Sequence, residues 1–272
     1  MGYREWNQTI DGGSNEECLD FFLTRDGGYI FAGISISFNN DTNRWEHHDI
    51  FLIKIDSENN VIWKKTLFKP DYESGIFNML LADDGGYILS ASIFAGGEGN
   101  DYGMLIKTDS DGNKLWEKEF AGNEDVHLFY VSNTSDGGYV LTGNDGSFSD
   151  NLYDIFLIKT DAEGNEEWEQ IFQNSNDLDG LNDKYIGSSG YCVKQAPNGG
   201  YIISGTINHG DSYEDEWDCW LIKTDESGES ESIVQSQRQD GTRFKRSDPL
   251  EVGVPKIHMF NPVEWFITKI QE

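Results

Sequence analysis

The stretch "DGGYVLTG", Asp136–Gly143, decides how this chain folds. An Asp-Gly pair between two apolar runs is a strong hairpin signal, and "YVLTG" has strand composition. The same string returns as "DGGYIFAG" from Asp26, "DGGYILSA" from Asp84 and "NGGYIISG" from Asn198. Downstream, "LIKID" starts at Leu52 and "LIKTD" at Leu105, Leu157 and Leu221. Leu52 to Leu105 is 53 residues and Leu105 to Leu157 is 52. A Trp follows in the next run, at Trp63, Trp116 and Trp168, and Trp6 starts the series. A fixed period of this length marks a repeat architecture.

Each unit reads as four strands. An inner strand such as "HLFYVSNT" ends at Asp-Gly-Gly, "YVLTG" is the second, "DIFLIKT" the third, and a turn leads to a fourth carrying the Trp. Four-stranded units repeated about an axis predict an all-β fold, a β-propeller of antiparallel blades. Near the end, "EWFITKI" (Glu264–Ile270) aligns with "DIFLIKI" (Asp49–Ile55), which makes five third strands. The reading is a five-bladed, single-domain propeller over residues 1–272, with blades at 11–68, 69–121, 122–173, 174–235, and 236–272 completed by 1–10. The N-terminal "REWNQTI" would be a lone fourth strand paired with the C-terminal third strand, closing the ring and removing two exposed sheet edges.

The turn in "LIKTDSDGNKLW" imitates a calcium loop, because Asp109, Asp111 and Asn113 alternate. The copies do not keep that set: Asp111 becomes Glu58, Glu163 and Ser227. What recurs is Asp109 with Gly112, Gly164, Gly228 or Asn59 three residues after the Asp, residues that tolerate a left-handed backbone. This is a hairpin turn. The lysines of the same runs, Lys54, Lys107, Lys159, Lys223 and Lys269, read as structural edge or interblade partners.

Composition fits this fold, with 30 Gly, 5 Pro and 13% aromatic residues. A net charge of −29 repels phosphate backbones and speaks against nucleic-acid binding. No apolar run is long enough to span a membrane as a helix, and no leader pattern opens the chain. Cys18, Cys192 and Cys219 give no disulfide framework, and the last two, on the first and third strands of one blade, stand too far apart to bond.

The pattern "DGGYxxxG…LIKTDxxGNxxW" resembles propeller repeats of secreted and cell-surface proteins of archaea and bacteria. It is also similar to the tryptophan-docking motif of pyrroloquinoline-quinone-type and WD-like propellers. The resemblance covers residues 3–235 and 263–270. It implies an extracellular or cell-surface module that binds a protein or glycan ligand, and it leaves the oligomeric state open.

In such blades the first and third turns share one face, and here they are short and uniform. Length variation falls on the opposite face, where binding residues concentrate. Candidates there are Trp45, His47, His48 and Asp49 in "SFNNDTNRWEHHD", which reads as a long loop. Asp49, Asp154, Asp218 and Glu264 recur before the third strand and read as loop anchors more than a cation ring; Tyr102, preceded by Asp101, takes that register in blade two. Asp177, Asp179 and Asp183 lie in a blade link, and Tyr213, Asp215, Glu216, Trp217 and Asp218 in the blade-four loop, forming an acidic rim. Calcium could bind such carboxylates, but no convergent metal set or cofactor motif appears. The expectation is a non-enzymatic binding or scaffold module with no catalytic residues assigned. The rival is a carbohydrate-active hydrolase using carboxylates of the central funnel, where the inner-strand acids are Glu17, Asp20 and Asp125.

Overall fold

The computed structural model describes residues 15–24, 26–39, 44–68, 73–95, 100–122, 124–147, 152–172, 185–209 and 216–235. Blade one is β1 (Asn15–Leu23), β2 (Tyr29–Asn39), β3 (Arg44–Ile55) and β4 (Val61–Phe68). Blade two is β5 (Glu73–Leu81), β6 (Tyr87–Phe94), β7 (Tyr102–Thr108) and β8 (Lys114–Phe120). Blade three is β9 (Asp125–Asn133), β10 (Tyr139–Ser147), β11 (Leu152–Thr160) and β12 (Glu166–Phe172). Blade four is β13 (Tyr185–Gln195), β14 (Tyr201–His209), β15 (Glu216–Thr224) and β16 (Ser230–Gln235). Each blade is a four-stranded antiparallel sheet whose strands pair in chain order, and the first strand of each later blade packs on the blade before it. The arrangement is propeller-like, with four blades among the described residues. The fifth blade and the ring closure fall on residues 236–272 and 1–10, outside the described residues.

The core lies between blades. Ile30, Leu52, Met79, Leu89 and Ile106 join blades one and two; Leu105, Leu128, Leu141 and Phe156 join two and three; Leu157, Val193, Ile203 and Trp220 join three and four. Each such fully buried side chain contributes about 2 kcal/mol.

The Asp-Gly-Gly turn needs its two glycines for different reasons. The first takes a left-handed backbone, with φ of 81° at Gly27, 85° at Gly85, 89° at Gly137 and 94° at Gly199. The second lets the third strand approach: a Cβ on Gly138 would stand 2.1 Å from the Thr160 carbonyl oxygen, and Gly28, Gly86 and Gly200 meet the same obstacle. The repeated lysine then reaches back to the turn's Asp. Lys54 pairs with Asp26 at 3.1 Å, Lys107 with Asp84 at 2.7 Å and Lys159 with Asp136 at 2.8 Å. These lysines therefore work within a blade, not between blades. In blade four Asn198 replaces the Asp, and Lys223 pairs with Glu231.

The third turn is held by its Asp. Asp109 Oδ1 accepts from the backbone N–H groups of Asp111 at 3.0 Å and Asn113 at 2.8 Å, and Asp56, Asp161 and Asp225 do the same. The Asn113 side chain first, then those backbone donors, keep the Asp109 carboxyl below its usual range. The outer-strand Trp latches each blade to the next turn. A Cβ on Gly112 would meet the Trp63 ring at 2.5 Å, one on Gly164 the Trp116 ring at 2.7 Å, and one on Gly228 the Trp168 ring at 2.6 Å. Two residues after the first two of those Trp, Lys65 donates to Asn113 and Lys118 to Asn165 of the following blade.

Candidate functional site

The variable face holds the expected candidates differently from the expectation. "SFNNDTNRWEHHD" is mostly an extended hairpin, so Trp45, His47, His48 and Asp49 lie on β3, with Trp45 opposite Phe38 and Asp49 opposite Ser35. His48 Nδ1 lies 3.0 Å from the Ser74 carbonyl oxygen, while Ser74 Oγ donates to the His48 carbonyl at 2.6 Å. His48 is thus a tie between blades one and two. Asp154 stands opposite Asp145, and Asp218 is buried on β15 opposite Ile207. Glu216 and Trp217 open β15, so they belong to a strand as well. Asp177, Asp179, Asp183, Tyr213 and Asp215 lie outside the described residues. Among the described residues no three His, Cys, Asp or Glu side chains converge as a metal site, so calcium has no assigned ligands there. Cys18, Cys192 and Cys219 form no disulfide with one another, and burial pushes the Cys192 and Cys219 thiols up.

The inner strands carry what the sequence did not single out. In each blade the first strand has a β-bulge, a residue left out of the pairing with the second strand. The residues left out at the shared register are Leu19, Phe77, Phe129 and Tyr191, and β13 skips Ile186 as well. A bulge re-aims its side chain, and three of these meet across blades. Phe77 touches Phe129 edge-on at 4.9 Å between centroids, and Phe129 stacks on Tyr191 at 5.6 Å. Inner strands of three blades come together only at the axis, so the rings line it. Phe77 stays 43% exposed and Tyr191 51%. The facing second strand is Gly in blades one, three and four: a Cβ on Gly143 would stand 1.8 Å from the His127 carbonyl oxygen. A sequence signal for the rings exists. Each bulge residue stands seven before the turn's Asp or Asn, as Phe129 does before Asp136.

Beside the rings, on the side of the variable face, a buried polar chain crosses three blades. Ser189 Oγ accepts from Asn144 Nδ2 at 2.9 Å. Asn144 Oδ1 lies 2.9 Å from His127 Nδ1, and His127 Nε2 lies 3.0 Å from Asp101 Oδ2. Asp101 Oδ1 accepts from the Ala95 N–H, and the Asp101 N–H donates to Asp125 Oδ1, both at 2.8 Å. His127 is therefore held at both ring nitrogens and hemmed by Phe94, Tyr153 and Phe129. Buried polar groups of this kind fix one arrangement when all are paired. Asp145, near the end of β10, is half-buried, and burial first, then Glu124, pushes its carboxyl above the usual range. Asp20, by contrast, is spent on structure. Its Oδ2 accepts from the Met79 N–H at 2.9 Å, as Asn78 Oδ1 accepts from the Val131 N–H in the next blade.

No known family model matches the chain, and no characterised protein matches it in sequence. Among solved structures it is similar to an α-L-arabinofuranosidase from Fusarium graminearum, at 12% identity and a TM-score of 0.48, covering 83% of this chain and 68% of that one. It is similar to an endo-arabinase from Bacteroides thetaiotaomicron, at 11% identity and 0.39, covering 82% and 75%. A levansucrase from B. megaterium follows at 11% and 0.36, covering 80% and 67%. Every one of these neighbours is an enzyme by name, and the expectation that this chain is not an enzyme is withdrawn on that finding. At such identities and scores the likeness assigns no substrate and no residue role to this chain.

Proposed function

We propose that the protein is a carbohydrate-active hydrolase whose sugar sits at the axis and enters from the variable face. The observation that supports it is the buried chain from Ser189 through Asn144, His127 and Asp101 to Asp125, which ends on a partly exposed carboxylate on the strand that also carries Phe129. In this reading Asp125 supports the incoming water and takes its proton as the glycosidic C–O bond breaks, and the leaving oxygen takes a proton from solvent. His127 and Asp101 are positioning residues that hold Asp125.

The test is release of reducing ends from neutral polysaccharides, beginning with arabinan, xylan and levan. Asp125→Asn should lower turnover about 100-fold or more with an unchanged melting temperature. Asp125→Asn turning over like the parent, or no cleavage of any glycan, would overturn the reading.

The same proposal includes a closed five-bladed ring acting outside the cytoplasm. End-on electron-microscopy averages should show five lobes, and four or six would refute the count.

A further inference from the structure

The axial rings have a feature that the hydrolysis chemistry does not use. Aromatic side chains at the three bulges of blades two to four pack on one another and so hold a fixed pose, yet Phe77 and Tyr191 keep about half their surface open. A mere plug of the channel would bury them. Blade one breaks the series with Leu19, which is partly buried against the core of blades one and two. Among the described residues the platform therefore spans blades two to four. Tyr191, stacked on Phe129 with Phe77 edge-on beside them, offers an exposed aromatic face, and the apolar face of a sugar ring lies well on such a surface.

Charge chooses among sugars. The chain carries −29, and Asp125, Asp145 and Glu124 stand near the axial end of blade three on the variable face. A like-charged ligand meets a repulsive field there, while a neutral one meets carboxylates ready to accept hydroxyl hydrogens. We infer that Phe77, Phe129 and Tyr191 form the stacking platform for a neutral glycan, and that the acidic mouth rejects uronic-acid glycans. This rests on the carbohydrate reading above but not on cleavage.

Calorimetric titration with cello-, xylo- and arabino-hexaose against oligogalacturonate tests it. At least one neutral hexaose should bind, with little dependence on salt, and the uronate should not. Phe77→Ala and Tyr191→Ala, both truncations of exposed rings, should each weaken binding about tenfold. Tyr191→Phe should retain binding, whereas Tyr191→Leu should lose it. Equal binding of the uronate, or full affinity in Tyr191→Leu, overturns the inference, as does the absence of binding by every neutral hexaose. If Asp125→Asn abolishes cleavage while the ring variants bind and turn over normally, the platform fails and the hydrolase reading survives. If the ring variants lose binding and no glycan is ever cleaved, the hydrolase reading fails and the platform survives.

Discussion

On the face with the Asp-Gly-Gly and Asp-x-x-Gly turns, successive blades repeat the same contacts: a left-handed Gly, a lysine on the turn's Asp, a Trp on the next blade's Gly. Near the opposite face the register of His127 is Glu17 in blade one, Gly75 in blade two and Ser189 in blade four. A contact repeated from blade to blade serves what the repeat needs, which is its own turn and its hold on the neighbour. A buried polar chain made once among the described residues, at Asp101, His127 and Asn144, serves nothing the repeat requires. That asymmetry, more than any single distance, supports the proposal of a site at the axial end of blade three.

The comparison can be broken most sharply within one turn. Gly138→Ala sets a methyl against the Thr160 carbonyl and should cost about 3 kcal/mol or more, enough to prevent folding in a marginal protein. Gly137→Ala, with open space around it but a φ of 89°, should cost only about 1–2 kcal/mol of backbone strain. Urea unfolding of the two variants checks this, and equal losses would mean that the close approach is not what the second glycine permits.

Trp116→Ala, on the latch between blades three and two, should cost about 2 kcal/mol, less than a fully buried ring because Trp116 is only partly covered. Its hydrolysis or binding per folded molecule should match the parent. A loss of binding without a loss of stability would show that the two faces are coupled.

The smallest effects are ionic. The Asp26 carboxyl is lowered from 3.8 to about 2 by the Thr24 hydroxyl first and Lys54 next. Asp136 also falls to about 2, because Lys159 and Thr134 outweigh the burial that would raise it. Folded pKa values below the unfolded ones stabilise above pH 3.8, and that stability is lost as pH falls toward 2. The melting temperature should drop across that window, and less so in Asp26→Asn/Asp136→Asn. Blade four lacks the Asp, so Asn198→Asp should add about 0.5 kcal/mol at neutral pH by giving Lys223 a second partner.

Much of the architecture was legible in the residues. The Asp-Gly-Gly turn, the left-handed Gly112 position and the docked Trp are local or nearest-neighbour features, and their spacing repeats along the chain. The false calcium loop at Asp109 was also settled by comparing copies. The lysines look like edge or interface residues in the sequence, but their partners, such as Asp84 for Lys107, lie 23 residues back across a hairpin of the same blade. A polar run makes Glu46 and His48 look like loop residues and conceals their strand pairing with Ser37 and Ile36.

The sequence by itself determined the strand order, the turns and the face on which blades differ, because these follow from short-range backbone chemistry repeated at a fixed period. Only the tertiary structure decided which residues line the axis and which acids are committed. A bulge exists relative to a partner strand, so Phe129 is extra only once Leu128 and Tyr130 have paired with Gly143 and Thr142. Asp20 and Asp101 are both buried acids, and what separates them is the partner each finds in space: a Met79 backbone N–H for one, the His127 ring for the other. Those partners come from neighbouring blades, and blade packing sets them at distances that no local pattern encodes.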